Sequence, residues 1–470
     1  MANPPHIAFI SSAGFTHLFP VIQFSKRLLH LHRDLHITCI IPILESLPSS
    51  SQSYLQSLPP NIHSIFLPPV HKHDMPENVH RGAQVQLTVT LSLPYIRQEL
   101  ESLISRSSLV ALVTDCFAHE ALDFAVEFNL LSFMYLPYAS MIFSLYFCNS
   151  MKLDDAKFRG LSPESIDIPP CIPDRGREIV ESLYDELVLK QFFERAKKLS
   201  LIDGVLFNSF FELETETIRS LQEETKGKRP QIYPVGPIIQ GRSDNETNGL
   251  GSNCLTWLNN QPTKSVVYVS FGSGGTLSQE QLNELAFGLE LSGKKFLWVV
   301  RPPSDDPSAA YLSASGDQKN PLDFLPDGFL ERTKDRGLVV PLWAPQISIL
   351  SHGSVGGFLS HCGWNSTMES IVHGVPIIAW PLFAEQRMNA AFLTDCLKVA
   401  LWPEANNQRS GMVERDEIAN VIIRFMEGEE GRDVHKRMQD LKDSAANALK
   451  ENGSSTQTLS QFVMKLRARA

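Results

Sequence analysis

Residues 355–380 read VGGFLSHCGWNSTMESIVHGVPIIAW. An apolar run (355–360), right for one buried strand, meets a turn at His361-Cys362-Gly363-Trp364. A helical pattern follows from about Asn365 to His373, Gly374 is placed to end it, and a second apolar run begins at Val375. Strand, helix and strand in this order form one crossover unit, the building block of a parallel sheet. The alternation extends in both directions. HIAFISS (6–12), HITCIIP (36–42), LVALVT (109–114) and DGVLFNS (203–209) read as strands of the first half. SVVYVSF (265–271), KFLWVV (295–300), GLVVPLW (337–343) and VPIIAW (375–380) join 355–360 in the second. Runs this continuously apolar suit strands covered on both faces.

A chain of 470 residues exceeds one compact core and suits two domains of roughly 200 residues each. The reading sets an N-terminal domain at 1–240, a Pro/Gly-rich polar linker at 241–254 and a C-terminal domain at 255–450. A last helix (451–470) is expected to pack back toward the N-terminal domain, and 302–321 reads as a long surface loop. Two doubly wound domains would face a cleft at the carboxyl ends of their strands, where such folds bind ligands.

The net charge of −10 gives no footprint for nucleic acid, so a phosphate-bearing ligand must be held by local donors. Seven scattered cysteines, without a CxxC pair or zinc spacing, indicate buried thiols in a reducing compartment. The opening MANPPHIAFISSAG lacks the basic start of a signal peptide, and no run approaches the roughly 20 apolar residues of a membrane span. A cytoplasmic protein, expected to be a monomer, follows.

A helix opening after Gly363 presents free backbone N–H groups and a positive dipole end. Asn365 and Ser366 add side-chain donors, and His361 closes the preceding strand. Together they can hold a diphosphate without a metal. Ser366-Thr367-Met368-Glu369 also fits a capping box, which would make these residues structural. Upstream, SFGSGG (270–275) follows a strand and offers small residues for close approach to phosphate.

The stretch Trp343–Gln386, from W-A-P-Q through H-C-G-W-N-S and Glu369 to E-Q, resembles the plant secondary-product signature of the UDP-glycosyltransferase family. The resemblance extends over the whole chain. It implies an α/β protein of the GT-B type, two Rossmann-like domains, with UDP-glucose as co-substrate and no metal or other cofactor. It also implies roles at matching positions. Trp343 would stack on uracil, with Ala344 and Gln346 bonding the base or its surroundings. Glu369 would take the ribose hydroxyls. His361, Asn365, Ser366 and Ser273 would contact the diphosphate. Trp364, Glu385 and Gln386 would read the sugar, Gln386 favouring glucose where similar enzymes with His often favour galactose.

Deprotonating an acceptor hydroxyl calls for a base with a pKa near neutrality, and histidine is the usual choice. His17 follows the first strand, and Asp115 ends another in VALVTDCF. An aspartate can fix the tautomer of such a histidine and stabilise its cation. The resemblance assigns this pair to His17 and Asp115, with Thr16 standing where relatives carry Gly and Ala139 where they commonly carry Thr. SFGSGGTLSQEQLNELAFGLE and FLPDGFLERT look most like hydroquinone and phenylpropanoid glucosyltransferases of the family. A small aromatic acceptor is implied, and Phe117 and Tyr146 are candidates for its wall. A nicotinamide oxidoreductase would need G-x-G-x-x-G after the first strand, where SSAGFTH stands instead.

Overall fold

The computed structural model describes residues 4–13, 15–46, 54–55, 58–150, 162–178, 181–239, 250–310, 320–406 and 411–469. Two compact units emerge. One comprises Met1–Cys171, Ile179–Ile239 and Asn447–Ala470, the other Ile172–Glu178 and Gln240–Ala446. The expected division was continuous from 1 to 240, whereas the second unit takes a short piece, 172–178, out of the first half. Residues 241–249 of the expected linker and 311–319 of the expected loop lie outside the described residues. The helix Leu250–Asn259 occupies the rest of that linker.

The first unit holds a seven-stranded sheet: β1 (His6–Ile10), β2 (His36–Leu44), β3 (Ile62–Val70), β4 (Leu109–Asp115), β5 (Leu131–Leu136), β6 (Gly204–Phe207) and β7 (Gln231–Pro234). Its order is β3-β2-β1-β4-β5-β6-β7, parallel throughout. Side chains alternate along β1 as period two requires. Ile7 and Phe9 enter one core, while Ala8 and Ile10 enter another under the helix Arg81–Arg106. The helix Ser454–Arg467 lays Leu459, Phe462, Val463 and Leu466 on the first of these cores. There the Phe462 ring meets Phe133 edge-on, centroids 4.8 Å apart.

The second unit repeats the plan with β8 (Val266–Ser270), β9 (Lys295–Val300), β10 (Gly337–Pro341), β11 (Val355–Ser360), β12 (Ile377–Ala379) and β13 (Ala400–Leu401). Its order is β10-β9-β8-β11-β12-β13, again parallel. In both sheets the chain builds outward from the first strand, then returns to continue on its other side. That reversal opens a crevice at the carboxyl edge between β1 and β4, and between β8 and β11.

His6 is buried at the foot of β1, its ring nitrogens 2.8 Å from the hydroxyls of Ser107 and Thr38. Burial, aided by His36, His63 and Arg106, holds its pKa down from 6.5 to about 4. Burial likewise lowers His361, at the end of β11, to about 4. In the unfolded chain both imidazoles accept a proton near 6.5, so the unfolded state binds more protons as pH falls from there to 4. Stability should therefore be lost across that window. Calorimetric melting temperatures should decline below pH 6.5, and His6→Asn should show a shallower decline than the wild type.

Candidate active site

The helix Trp364–His373 begins one residue earlier than its periodicity suggested, with Gly363 at the N-cap and Gly374 ending it at φ 72°. Gly363 has no side chain with which to cap. The N–H groups of a first helical turn have no partner within the helix and form a natural anion site. Ser366 thus stands inside the helix rather than at its cap, so the capping box read from Ser366 to Glu369 does not form.

Both residues are instead held by Gln346. Its Nε2 donates to Ser366 Oγ at 2.9 Å and to Glu369 Oε2 at 2.7 Å. Its Oε1 accepts from the hydroxyl of Tyr268, a buried residue of β8, at 3.4 Å. Both amide protons are thereby used inside the protein, so Gln346 positions Glu369 more than it reads a base. Ser366, which accepts from Gln346, keeps its own O–H to donate. Tyr268 was not singled out from the sequence, because a tyrosine in an apolar strand looks like any core aromatic.

The His361 ring lies between two glycines. A Cβ on Gly272 would fall 2.6 Å from its Nε2, and one on Gly363 would fall 2.5 Å away. Any larger residue at either place would displace the ring, and Gly272 also adopts φ 73°, which favours glycine. Held neutral at physiological pH, His361 can donate one N–H without carrying charge, and among the described residues its Nδ1 is buried without a hydrogen-bond partner. Cys362 takes φ 61° to make the turn, and its carbonyl accepts from the buried Asn389 amide at 2.9 Å. Arg301, following β9, donates from Nε to the Gly272 carbonyl at 3.2 Å. Arg301 and Asn389 escaped the sequence reading because their work is to hold backbone carbonyls brought close only by the fold. Ser273 is exposed in the turn after β8, and Asn365 is exposed in the first turn of the helix.

Trp343 follows β10 with 55% of its surface exposed, above the buried Ala344. An indole left open at the carboxyl edge of a sheet offers a flat stacking platform. After β12 come Glu385, half-buried, and Gln386, which starts a helix and is 4% exposed. Gln386 Oε1 accepts from the backbone N–H groups of Leu382 (2.8 Å) and Phe383 (3.0 Å). Backbone N–H groups can only donate, so the amide orientation is fixed, and only its NH₂ can serve a ligand. Trp364 is buried.

In the first unit, His17 falls in the first turn of the helix Phe15–Leu31, directly after β1. The side chains of 15–17, Thr16 included, lie outside the described residues. Asp115 ends β4, one residue beyond Thr114, which pairs with Ile10 of β1. Both therefore sit at the carboxyl edge beside the β1/β4 crevice. Asp115 is 1% exposed, and its Oδ1 accepts from the Phe117 N–H at 2.8 Å. Phe117 and Tyr146 are half-buried and gather around Arg195, whose guanidinium lies 4.4 Å from the Phe117 ring and donates to the Tyr146 hydroxyl at 2.7 Å. Ala139 precedes the helix Ser140–Cys148 without a capping oxygen. The buried Glu214 carboxylate supplies that cap, accepting from the N–H groups of Ser140 (2.8 Å) and Met141 (3.1 Å).

All seven cysteines are free thiols. No described helix is long and apolar enough to cross a membrane.

Residues 230–402 match the family described as UDP-glucoronosyl and UDP-glucosyl transferase. The chain is 45% identical to a hydroquinone glucosyltransferase of Rauvolfia serpentina, over 99% of this chain and 98% of that one. Among solved structures, UGT2 of Phytolacca americana in complex with UDP-2fluoro-glucose and pterostilbene shares 41% identity, with a TM-score of 0.85 over 98% of this chain and all of that one. A Polygonum tinctorium UDP-glucosyltransferase capable of glucosylating indoxyl, bound to 3,4-dichloroaniline, shares 42% identity and a TM-score of 0.87, covering 99% of each chain. With two parallel α/β units of the GT-B type and identity across its length, this chain belongs to the UDP-glycosyltransferase family.

Proposed function

We propose that this glycosyltransferase moves glucose from UDP-glucose to the hydroxyl of a small phenol, with inversion, to give a β-glucoside. The observation that carries this reading is the set of neutral donors at the β8/β11 crevice: the uncapped helix start at Gly363, Ser366 and a neutral His361. Such a set suits a diphosphate leaving group that departs with the electron pair of its bond to the anomeric carbon. Trp343 serves as platform for uracil, and Glu369, aimed by Gln346, takes the ribose hydroxyls. Glu385 and the Gln386 NH₂ read the sugar. In the first unit His17 accepts the acceptor's proton as its oxygen attacks, and Asp115 steadies the resulting imidazolium.

Glucose and a phenol are supported by the relatives, one named for hydroquinone and another solved with a fluorinated UDP-glucose and a stilbene. Phe117 and Tyr146 offer aromatic surface for such an acceptor. Seven unpaired thiols support a cytoplasmic setting. The direct test incubates the purified chain with UDP-glucose and a panel of phenols, following UDP release and acceptor mass. A panel that gains no hexose would refute the reading.

Because the leaving group is met by backbone and neutral side chains, transfer is expected to persist in excess EDTA. Initial rates within about twofold of the untreated enzyme are the expected result. A rate abolished by chelation and restored by manganese or magnesium would overturn the assignment of leaving-group stabilisation to the Gly363 helix start.

A further inference from the structure

A cluster of ligating groups lies in the first unit, in residues that the transfer reaction does not use. His119 sits in the short helical segment Cys116–Ala121 that follows β4 and is 1% exposed. Its Nδ1 lies 3.3 Å from the Cys116 carbonyl, which can only accept, so Nδ1 carries the proton. Nε2 then presents a lone pair. That atom is buried and has no hydrogen-bond partner among the described residues.

Two carboxylates lie close to this ring. Glu120 is the next residue, and Glu194 comes from the helix Glu186–Leu199. One oxygen of each and the imidazole nitrogen all lie within 4.8 Å of one another, with both glutamates half-buried. A cation bonded at about 2.0–2.2 Å to each ligand would close that span with small rotations of the two carboxylates.

The surroundings supply negative charge and oriented ligands for a cation beside His119. The Arg195 guanidinium donates to the same Cys116 carbonyl at 2.8 Å, and its fixed positive charge is one that the two carboxylates must offset for any cation bound here. Lys190 lies 3.7 Å from Glu194. Thr90 donates to Glu120 Oε2 at 2.6 Å, which orients that carboxylate and leaves its other oxygen for a ligand. An imidazole whose far N–H is anchored on a backbone carbonyl, beside a hydrogen-bonded carboxylate, is how proteins prepare metal ligands.

We propose that His119 Nε2, Glu120 and Glu194 bind one divalent transition-metal ion, zinc being well suited to an imidazole with two carboxylates. The ion ties the segment after β4, which carries Phe117, to the helix Glu186–Leu199. It would neutralise both carboxylates and act on stability, not on the departing diphosphate.

The test uses the full chain, stripped with chelator and dialysed, then titrated with Co²⁺ while its visible d–d absorption is followed, and with Zn²⁺ by calorimetry. The wild type should bind one equivalent with a distinct cobalt spectrum, and zinc should raise its melting temperature. Glu120→Gln and Glu194→Gln keep the side-chain shape and should each lose that spectrum and about 100-fold or more in affinity. His119→Ala should do the same if it folds, and the glutamine variants decide the matter if it does not. Cobalt spectra and zinc isotherms that are the same in the wild type and both glutamine variants would overturn the proposal, as would no saturable binding to the wild type. These readouts concern the ion and not sugar transfer, so this proposal and the proposed activity can fail separately.

Discussion

Replacing His17 with alanine is expected to lower turnover by about 100-fold or more while leaving UDP binding nearly unchanged, the usual cost of losing a general base. The expectation rests on where the chain puts its functional groups. Residue 17 lies in the first turn of the helix after β1, and Asp115 closes the neighbouring β4, paired with β1 up to Thr114. A base is needed only to the extent that the acceptor holds its proton. Strongly acidic phenols, already ionised, should therefore lose less than weakly acidic ones. Asp115→Asn should show a smaller loss of the same kind, since the imidazole remains but its tautomer and cation lose support. Single-turnover rates across phenols of graded acidity, with UDP affinity from calorimetry, provide the check. Wild-type turnover of the alanine variant on a weakly acidic alcohol would remove His17 from the mechanism.

Gln386→Glu is the second informative change. Alanine at this place would withdraw the acceptor of two backbone N–H groups, those of Leu382 and Phe383, and so mix structural damage with lost recognition. Leaving buried donors unpaired costs roughly 1–3 kcal/mol each. Glutamate keeps an oxygen for both donors and replaces the NH₂ with an oxygen that cannot donate, though it brings a charge to a position only 4% exposed. If that NH₂ reads a sugar hydroxyl, kcat/KM for UDP-glucose should fall by about tenfold or more, equal to one such hydrogen bond, while the cost of the buried charge is read separately as a lower melting temperature. The wild type should prefer UDP-glucose over UDP-galactose by at least about tenfold on the same grounds. The variant should lose much of that preference. Equal use of the two donors by the wild type, or full glucose activity in the glutamate variant, would show that Gln386 is only a loop support.

The parallel α/β plan was legible because apolar runs such as 355–360 and 266–270 carry their own signature, and Gly374 marks a helix end by chemistry alone. Other strands were harder to see. β3 (IHSIFLPPV) contains two prolines and an exposed histidine and phenylalanine, tolerable because it pairs only with β2 at a sheet edge. β5 (LSFMYL) has no β-branched residue, and β13 is two residues long. At the candidate site, residue types and their order were readable, but partnerships were not. That Gln346 spends both protons on Ser366 and Glu369 depends on side chains 20 and 23 residues away that only tertiary structure brings near, and that Gln386 turns its oxygen to Leu382 and Phe383 depends on how the intervening turn folds. The exchange of 172–178 into the second unit is equally invisible to composition.

The helix Ser454–Arg467 has a consequence for how the molecule is made. It completes the core around Phe24 and Phe133, yet it follows the entire second unit along the chain. A ribosome delivers the sheet of the first unit long before the residues that seal it. In vectorial synthesis an amino-terminal domain usually finishes early and waits for the next. Here the reverse holds: the second unit can mature while the first still exposes the ground meant for Phe462 and Leu466. The interval between β7 and that helix is therefore the period when nascent chains are most open to misassociation and most dependent on chaperones.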